Sequence, residues 1–446
     1  MTPAAAPPAG PPRRGWLQRI GLGRPELRAW AMYDWANSAF MTTIIGAVFP
    51  IYFLEVAASN LAPSVAQFRY ALATTAGLTF VALLSPILGA LADTRGAKKG
   101  FLGLFVALGV VSTCAMVAIG PGDWRLAAAL FILGNIAISG GFAFYDSLLP
   151  HIAGPDEIDR VSTAGYALGY LGGGLLLAVN LLWILRPGWF GLPDAGAASR
   201  LSFLSVGVWW GLFSIPLFRR VPEPAVRLEE GERELGGPTR IAVVRLRHSF
   251  TELRRYPQAA LMLAAFLLYS DGINTIIRLA TTYGTEIGIG PTHMIAAFLI
   301  VQFVGIPFAL LFGQFAGRIG ARPAIFVSLA VYFGITTVAY FMRTAAHFYA
   351  LAILVGTVQG GSQALSRSLF ASMIPAHKSS EFFAFFGIFE KFSGILGPAL
   401  FALVLGLTGT SRLAILSVAF FFAAGAALLS LVDVEAGQRR VREEQG

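Results

Sequence analysis

Twelve apolar runs fill this chain, at 27–55, 67–91, 100–119, 126–150, 161–185, 201–218, 257–284, 293–316, 323–342, 347–374, 381–406 and 412–432, with mostly short polar turns between them. A helix crosses the hydrocarbon of a bilayer with about 17–25 predominantly apolar residues, and each run is at least that long. Inside lipid the backbone must satisfy its own hydrogen bonds, which an isolated run does only as a helix. The pattern therefore predicts an all-α integral membrane protein of twelve spans. Composition agrees, because 13% of residues are charged where a soluble domain carries about 25%. The net charge of +9 would suit nucleic acid only if it formed a folded basic face. Here the cations lie between apolar runs, so no nucleic-acid partner is expected. Cys114 is the single cysteine, which excludes an intrachain disulfide.

The runs form two sets of six, giving bundles at 25–218 and 257–432, a linker at 219–256 and a tail at 433–446. Residues 1–24, rich in Pro, Ala and Gly, are expected to be disordered. Pro25 and Glu26 suit a helix start. No short apolar segment with a cleavage site precedes it, so the first run is expected to be retained as a span. With the N-terminus inside, 24 of the 33 Lys and Arg fall on inner segments and 5 on outer loops. This predicts both termini and the linker to be cytoplasmic. The linker begins acidic (Glu229, Glu230, Glu232, Glu234). From Thr239 it turns amphipathic, with Val243, Leu246, Phe250 and Leu253 on one face and most of its arginines elsewhere, which suits a helix touching the membrane interface.

No phosphate-cradling G-x-x-x-x-G-K-[ST] occurs, nor H-E-x-x-H, nor G-x-S-x-G, and the five histidines are isolated near run ends. Neither an enzyme activity, a cofactor nor a metal is expected. The chemistry that remains is ionisable side chains inside the spans, which are costly in a bilayer and mark functional sites. They are Asp34, Arg69, Asp146, Asp271, Arg278, Arg367, Glu390 and Lys391. Asp34, Asn37 and Ser38 share one face of helix 1 at i, i+3, i+4 spacing. Helix 7 carries Tyr269, Asp271, Asn274 and Thr275, with Asp271 about 21 Å into its run. Gln363 lies beside Gly360 and Gly361 in helix 10, where the backbone can bend. Arg69 lies near the outer end of its run and is expected to snorkel. Asp271 is the expected proton-coupling residue, with Arg367 the better candidate than Arg278 to compensate it.

One loop recurs. Gly89-Ala90-Leu91-Ala92-Asp93-Thr94-Arg95-Gly96-Ala97-Lys98-Lys99 returns 224 positions later at Gly313 to Pro323. Gly89 then falls on Gly313, Ala92 on Ala316, Gly96 on Gly320 and Lys98 on Arg322, while Gly317 stands at the place of Asp93. The spacing G-x-L-A-D-x-x-G-x-K-K resembles the signature loop between helices two and three of the major facilitator superfamily, and the weaker second copy is also typical of it. The resemblance implies two pseudo-symmetric six-helix bundles, with helices 1, 4, 7 and 10 lining a cavity and 3, 6, 9 and 12 outside. Five of the eight charges fall on the former set and none on the latter. Gly89, Asp93, Arg95, Gly96, Lys98 and Arg322 are the expected gating loop, with Asp93 meeting cations or helix N-termini across the bundle.

Four segments narrow the resemblance: Tyr33 to Ser38, Gly165 to Gly172, Gly360 to Ser368, and Glu381 to Pro398. They are similar to the branch containing the fungal vacuolar, autophagy-linked amino-acid effluxer and its bacterial relatives. That resemblance implies export of amino acids, down or coupled to a proton gradient. The expectation for this chain is a monomeric secondary transporter of the inner (plasma) membrane, moving an amino acid or similar zwitterion by alternating access, with proton coupling and export favoured. Asp34, Asn37, Asp146, Asp271, Asn274, Gln363, Arg367 and Glu390 are the candidate substrate and coupling residues. Membrane lipids are the other expected partner. Lipid or drug export on the same fold remains open, the phenylalanines of helix 11 suiting a greasy substrate. So does a membrane ligand sensor that moves nothing.

Overall fold

The computed structural model describes residues 15–226, 241, 253–286, 288–289 and 291–445. The amphipathic linker helix, the first 14 residues and the side chains of Arg278 and Lys391 lie outside the described residues. Helices run as α2 Pro63–Arg95, α3 Lys98–Ala115, α4 Trp124–Ile152, α5 Ile158–Leu185 and α6 Ala195–Arg220 in the first half. The second half has α7 Pro257–Glu286, α8 Pro291–Ile319, α9 Ala321–Tyr340 and α10 Ala345–Ala371. Three spans are not straight rods. The first, α1, is Pro25–Ala47 and Phe49–Ala57 joined at a 43° bend, beside Pro50, whose ring removes a helix hydrogen bond. The eleventh, α11, breaks into Ser379–Phe392 and Leu396–Thr408, and α12 into Ser411–Ser417 and Ala419–Ser430. A last helix, α13 Val434–Gln445, follows.

The expected disorder through residue 24 is corrected from residue 15 onward. Trp16–Arg19 forms a helical turn, and Ile20 and Leu22 are buried. Gly21, at φ +83°, passes so close to the start of α5 that a Cβ would lie 2.8 Å from the Arg160 backbone. Apolar side chains and the missing Cβ hold this arm down where composition alone suggested a free tail.

Packing follows a two-fold plan. In the first half α1 packs on α5 and α6, α2 on α4, and α3 on α4 and α6. In the second half α7 packs on α11 and α12, α8 on α10, and α9 on α10 and α12, the same pairs displaced by six. The halves meet along α2–α11 and α5–α8, which the same displacement exchanges. The outer surface is greasy. Leu104 and Val111 on α3, Val208 and Leu212 on α6, Phe333 and Val338 on α9, and Phe420 on α12 are all exposed. Polar groups such as Asp34, Asn37, Asp146, Asp271 and Arg367 are buried instead. Contiguous exposed apolar surface on this scale needs lipid around it. The helix 11 phenylalanines face inward: Phe382, Phe383, Phe385 and Phe386 are all buried.

A buried charge cluster and a latched face

Arg367 of α10 is the centre of the site. Its guanidinium reaches across to the first half and is 2% exposed. Nη1 donates to Asp146 Oδ1 of α4 at 3.0 Å and Nη2 to Asp34 Oδ2 of α1 at 3.4 Å. Nε donates to Ser162 Oγ at 2.9 Å and Nη2 to the Ser162 carbonyl at 3.0 Å. Ser162 Oγ passes the link back by donating to the Ala364 carbonyl at 2.8 Å. Tyr145 donates its hydroxyl to Asp34 Oδ2 at 2.8 Å. Trp30 and Tyr166 face the cation at 4.8 and 4.6 Å from their ring centres. Rings at such distances attract a guanidinium through their quadrupoles. Trp30 is itself fixed, stacked on Tyr145 with centroids 4.5 Å apart and donating Nε1–H to the Tyr145 carbonyl. Two carboxyl groups thus face one guanidinium, with aromatic walls excluding water.

The local sequence builds this. Gly165 on α5 leaves the room that Asp34 fills: a Cβ there would overlap Asp34 Oδ2 and lie 3.3 Å from Arg367 Nη2. Gly169, one turn on, does the same for Ser38. The small residues of helix 5 thus make space for the acid and for its neighbour one turn on.

Tyr166 separates the cluster from a small chamber lined by Phe266, Ser270, Asn274, Gln363, Phe386 and Glu390. Its volume of about 20 Å³ is near that of one water, too small for a solute. Asn274, Gln363 and Glu390 thus line one chamber, with Glu390 half-buried. Asn37 is buried on the Asp34 face of α1.

Asp271 is elsewhere, and the expected Asp271–Arg367 pair does not form. Its carboxylate accepts the backbone N–H of Leu396 at 3.0 Å and of Gly397 at 2.6 Å. These are free donors at the start of the second piece of α11, and an acid there is stabilised by the helix dipole. Arg367 is taken up by Asp34 and Asp146, so Asp271 serves the break in α11 instead.

The repeated loop closes one end of the molecule, here called the basic face. Asp93, buried at the end of α2, pairs with Lys98 Nζ at 2.6 Å. It also accepts the N–H of Ser380 at 3.3 Å and of Glu381 at 3.0 Å, at the start of α11. Lys98 donates to Ser379 Oγ at 2.6 Å, and Ser380 Oγ bonds Ser147 Oγ at 2.9 Å. Gly96, at φ +61°, makes the left-handed turn that ends α2. Gly89 allows the crossing, since a Cβ would lie 2.7 Å from the Ser380 carbonyl. The second copy repeats the crossing without the acid. Gly313 on α8 sits against Thr163 of α5, where a Cβ would overlap Oγ1. Ser368 of α10 adds a bond to Asp159 Oδ1 of α5 at 2.5 Å. Arg322 is corrected from the gating set. It donates to the Leu429 carbonyl at 3.1 Å and to that of Ser430, at the end of α12 in its own half. Lys99 is its counterpart, holding the Phe218 and Val221 carbonyls after α6. Arg95 is exposed at the end of α2. Beside Lys99, Glu223 accepts that residue's N–H at 3.0 Å, and partial burial pushes its carboxyl above the usual range. On the opposite end Arg69 is exposed and lies over the Trp124 ring.

Known proteins place this architecture. A family model described as "Vacuole effluxer Atg22 like" matches residues 23–442. The chain belongs to that family. A Bacillus subtilis relative, "Uncharacterized MFS-type transporter YxiO", is 36% identical over 91% of this chain and 94% of its own length. "Autophagy-related protein 22" of Yarrowia lipolytica is 27% identical over 63% of this chain and 51% of its own length. Among solved structures, the transporter FucP "in the outward conformation" superposes with a TM-score of 0.68 at 13% identity, over 93% of this chain and 99% of that one. The proton:xylose symporter XylE gives 0.61 at 14% identity, over 94% and 98%. Both share the major facilitator fold. The family member described here is thus a multi-pass integral membrane protein and a secondary transporter, not an enzyme.

Proposed function

We propose that this transporter exports an amino acid or a similarly small zwitterion in exchange for protons. The observation that carries the reading is the Asp34–Arg367–Asp146 cluster between the halves. Asp146 holds Arg367 through the shorter contact; Asp34 is the looser partner and also takes the Tyr145 hydroxyl. Two carboxylates against one guanidinium leave one negative charge over, and in a buried site that charge calls for a counter-cation. A substrate ammonium or a proton supplies it, and the two exclude each other at one carboxylate. Mutually exclusive occupancy is the arrangement antiport requires. Arg367, with Gln363 one turn before it, is the group suited to a substrate carboxylate. The family description as effluxers and the bacterial relative support outward movement across a bacterial inner membrane.

Purified protein in liposomes, offered a panel of labelled amino acids, is expected to move at least one against its gradient when a pH difference is imposed. Asp34→Asn is expected to remove the response to pH. Movement of hydrophobic dyes or lipid analogues with no amino acid moved would favour the greasy-substrate reading instead.

The basic face is assigned to the cytoplasm on the loop cations. Reporters fused after Arg227 and after Arg440 are expected to read cytoplasmic, and one inserted near Asp194 external. A cytoplasmic signal at Asp194 would sink the twelve-span topology.

A further inference from the structure

The break in α11 is held by α7 in two places. Asp271 caps the second piece through Leu396 and Gly397, with Thr275 Oγ1 donating to Asp271 Oδ1 at 3.4 Å. Asn274 Nδ2 donates to Ser393 Oγ at 2.8 Å, just ahead of Gly394, whose φ is +104°. That backbone angle suits glycine and interrupts the helix there. Gly397 must also be glycine for the clasp to close, since a Cβ would overlap Thr275 Oγ1 and lie 2.7 Å from Asp271 Oδ1. The apolar run gave no hint of this: an ionised side chain inside the membrane is costly unless it has a fixed partner, and here the partners are main-chain N–H groups.

The first piece of α11 joins two functional regions. Its 14 residues span about 20 Å at 1.5 Å per residue. Its N-terminus carries Ser379, Ser380 and Glu381, which latch onto Asp93 and Lys98. Its other end carries Phe386 and Glu390, which line the chamber. Immediately beyond lies the clasped break.

We propose that Asp271 is a positioning residue for transport: by clasping the break it fixes the pivot of Ser379–Phe392, so that chamber and latch move as two ends of one lever. The proposal rests on the reading above of a substrate held at Arg367 and Gln363, with the chamber that Gln363 shares with Glu390 as the place where its bulk is felt, and it replaces proton carriage by Asp271 with a mechanical role. A ligand drawing on Glu390 tilts the lever about Ser393 to Ile395 and lifts Ser380 from Asp93. A slack pivot would let the latch open without the chamber being filled.

The test uses full-length protein with Cys114→Ala and a reporter thiol at Ala384→Cys, a buried position on the lever. Labelling by a membrane-impermeant maleimide from the basic face is measured without substrate. Asp271→Asn keeps one acceptor oxygen but turns an amide donor toward a backbone N–H. It is expected to raise the labelling rate about fivefold, the size of one ordinary hydrogen bond. Gradient-driven accumulation and exchange at equal pH should fall by the same factor, with KM and the pH profile unmoved. Ser393→Ala removes the Asn274 bond to the hydroxyl and that hydroxyl's own bond to the Glu390 carbonyl, leaves the Asp271 clasp in place, and is expected to act in the same direction more weakly. Should Asp271→Asn fail to reach the membrane, labelling of Ser393→Ala at the parent rate overturns the proposal. Loss of accumulation with exchange intact would show that Asp271 itself carries the proton, and also overturns it. Because labelling needs no substrate, faster labelling with no amino acid transported would keep the pivot and discard the amino-acid reading.

Discussion

Arg367→Gln is expected to abolish transport. The substitution leaves Asp34 and Asp146 buried beside each other with no cation, and Ser162 loses two donors. Removing one partner of a buried ion pair costs about 3–5 kcal/mol, or roughly two to three and a half decades in an equilibrium at 1.4 kcal/mol per decade. A large part of that cost falls on folding, so loss of activity alone proves little. The double variant Arg367→Gln with Asp146→Asn restores the original surplus of one negative charge. It is expected to recover much of the thermal stability and none of the transport, because no group is left for a substrate carboxylate. Arg367→Lys should also fail, since an ammonium cannot bridge Asp34, Asp146 and Ser162 as the planar fork does. Normal transport by Arg367→Gln would remove the cluster from the mechanism.

Asp93→Asn is expected to slow turnover by about tenfold or more while leaving folding and substrate affinity largely unchanged. The wild-type carboxylate makes an ion pair to Lys98 and two bonds to the start of α11. Hydrogen bonds to a charged group contribute about 1.5–3 kcal/mol each, and the amide keeps at most part of one. The closed state of the basic face loses that stabilisation, and the open state, where both charges meet water, does not. The site around Arg367 lies on α1, α4 and α10, outside the loop, so affinity should survive. A mutant turning over at the wild-type rate would leave Asp93 as a loop acid of no consequence for gating.

Much of this architecture was legible in the sequence because hydropathy and a duplicated loop are both one-dimensional signals. Apolar runs of span length fix twelve helices, and Gly89 and Gly313 mark the two crossings between halves. The individual charges of the cluster were legible too, since a polar residue stands out in an apolar run. Their pairing was not. Distance from a run end gives depth along one helix, but neither its rotation nor the bend in α1, and both decide which side chains meet. Asp271 shows the limit most clearly. From run positions Arg367 was its best available partner, across a gap of several ångströms in depth; by geometry it answers a break in another helix, signalled only by the Ser393-Gly394 pair inside a greasy run. Trp30, Tyr145 and Ser162 were missed because aromatics and serines in such runs look like ordinary core.

The duplicated loop kept its glycine in both copies and its acid in one, and this makes the two seams of the basic face respond differently to the solution around them. The α5–α8 seam, with Gly313 against Thr163 and nothing at Gly317 to replace the carboxylate, closes on shape. The α2–α11 seam closes on charge-assisted bonds, with Asp93 accepting from Ser380 and Glu381 and Lys98 donating to Ser379. Those charges are shielded from electrolyte while the seam is shut and become exposed to it when the seam parts, where counter-ions at about 0.15 M screen over roughly 8 Å. Rising ionic strength on that side therefore favours parting along α2–α11 more than along the other seam, where one carboxylate, Asp159, is held across the halves by the Ser368 hydroxyl. The resting bias of the molecule is set in part by the electrolyte on one side of the membrane, through a single asymmetric carboxylate.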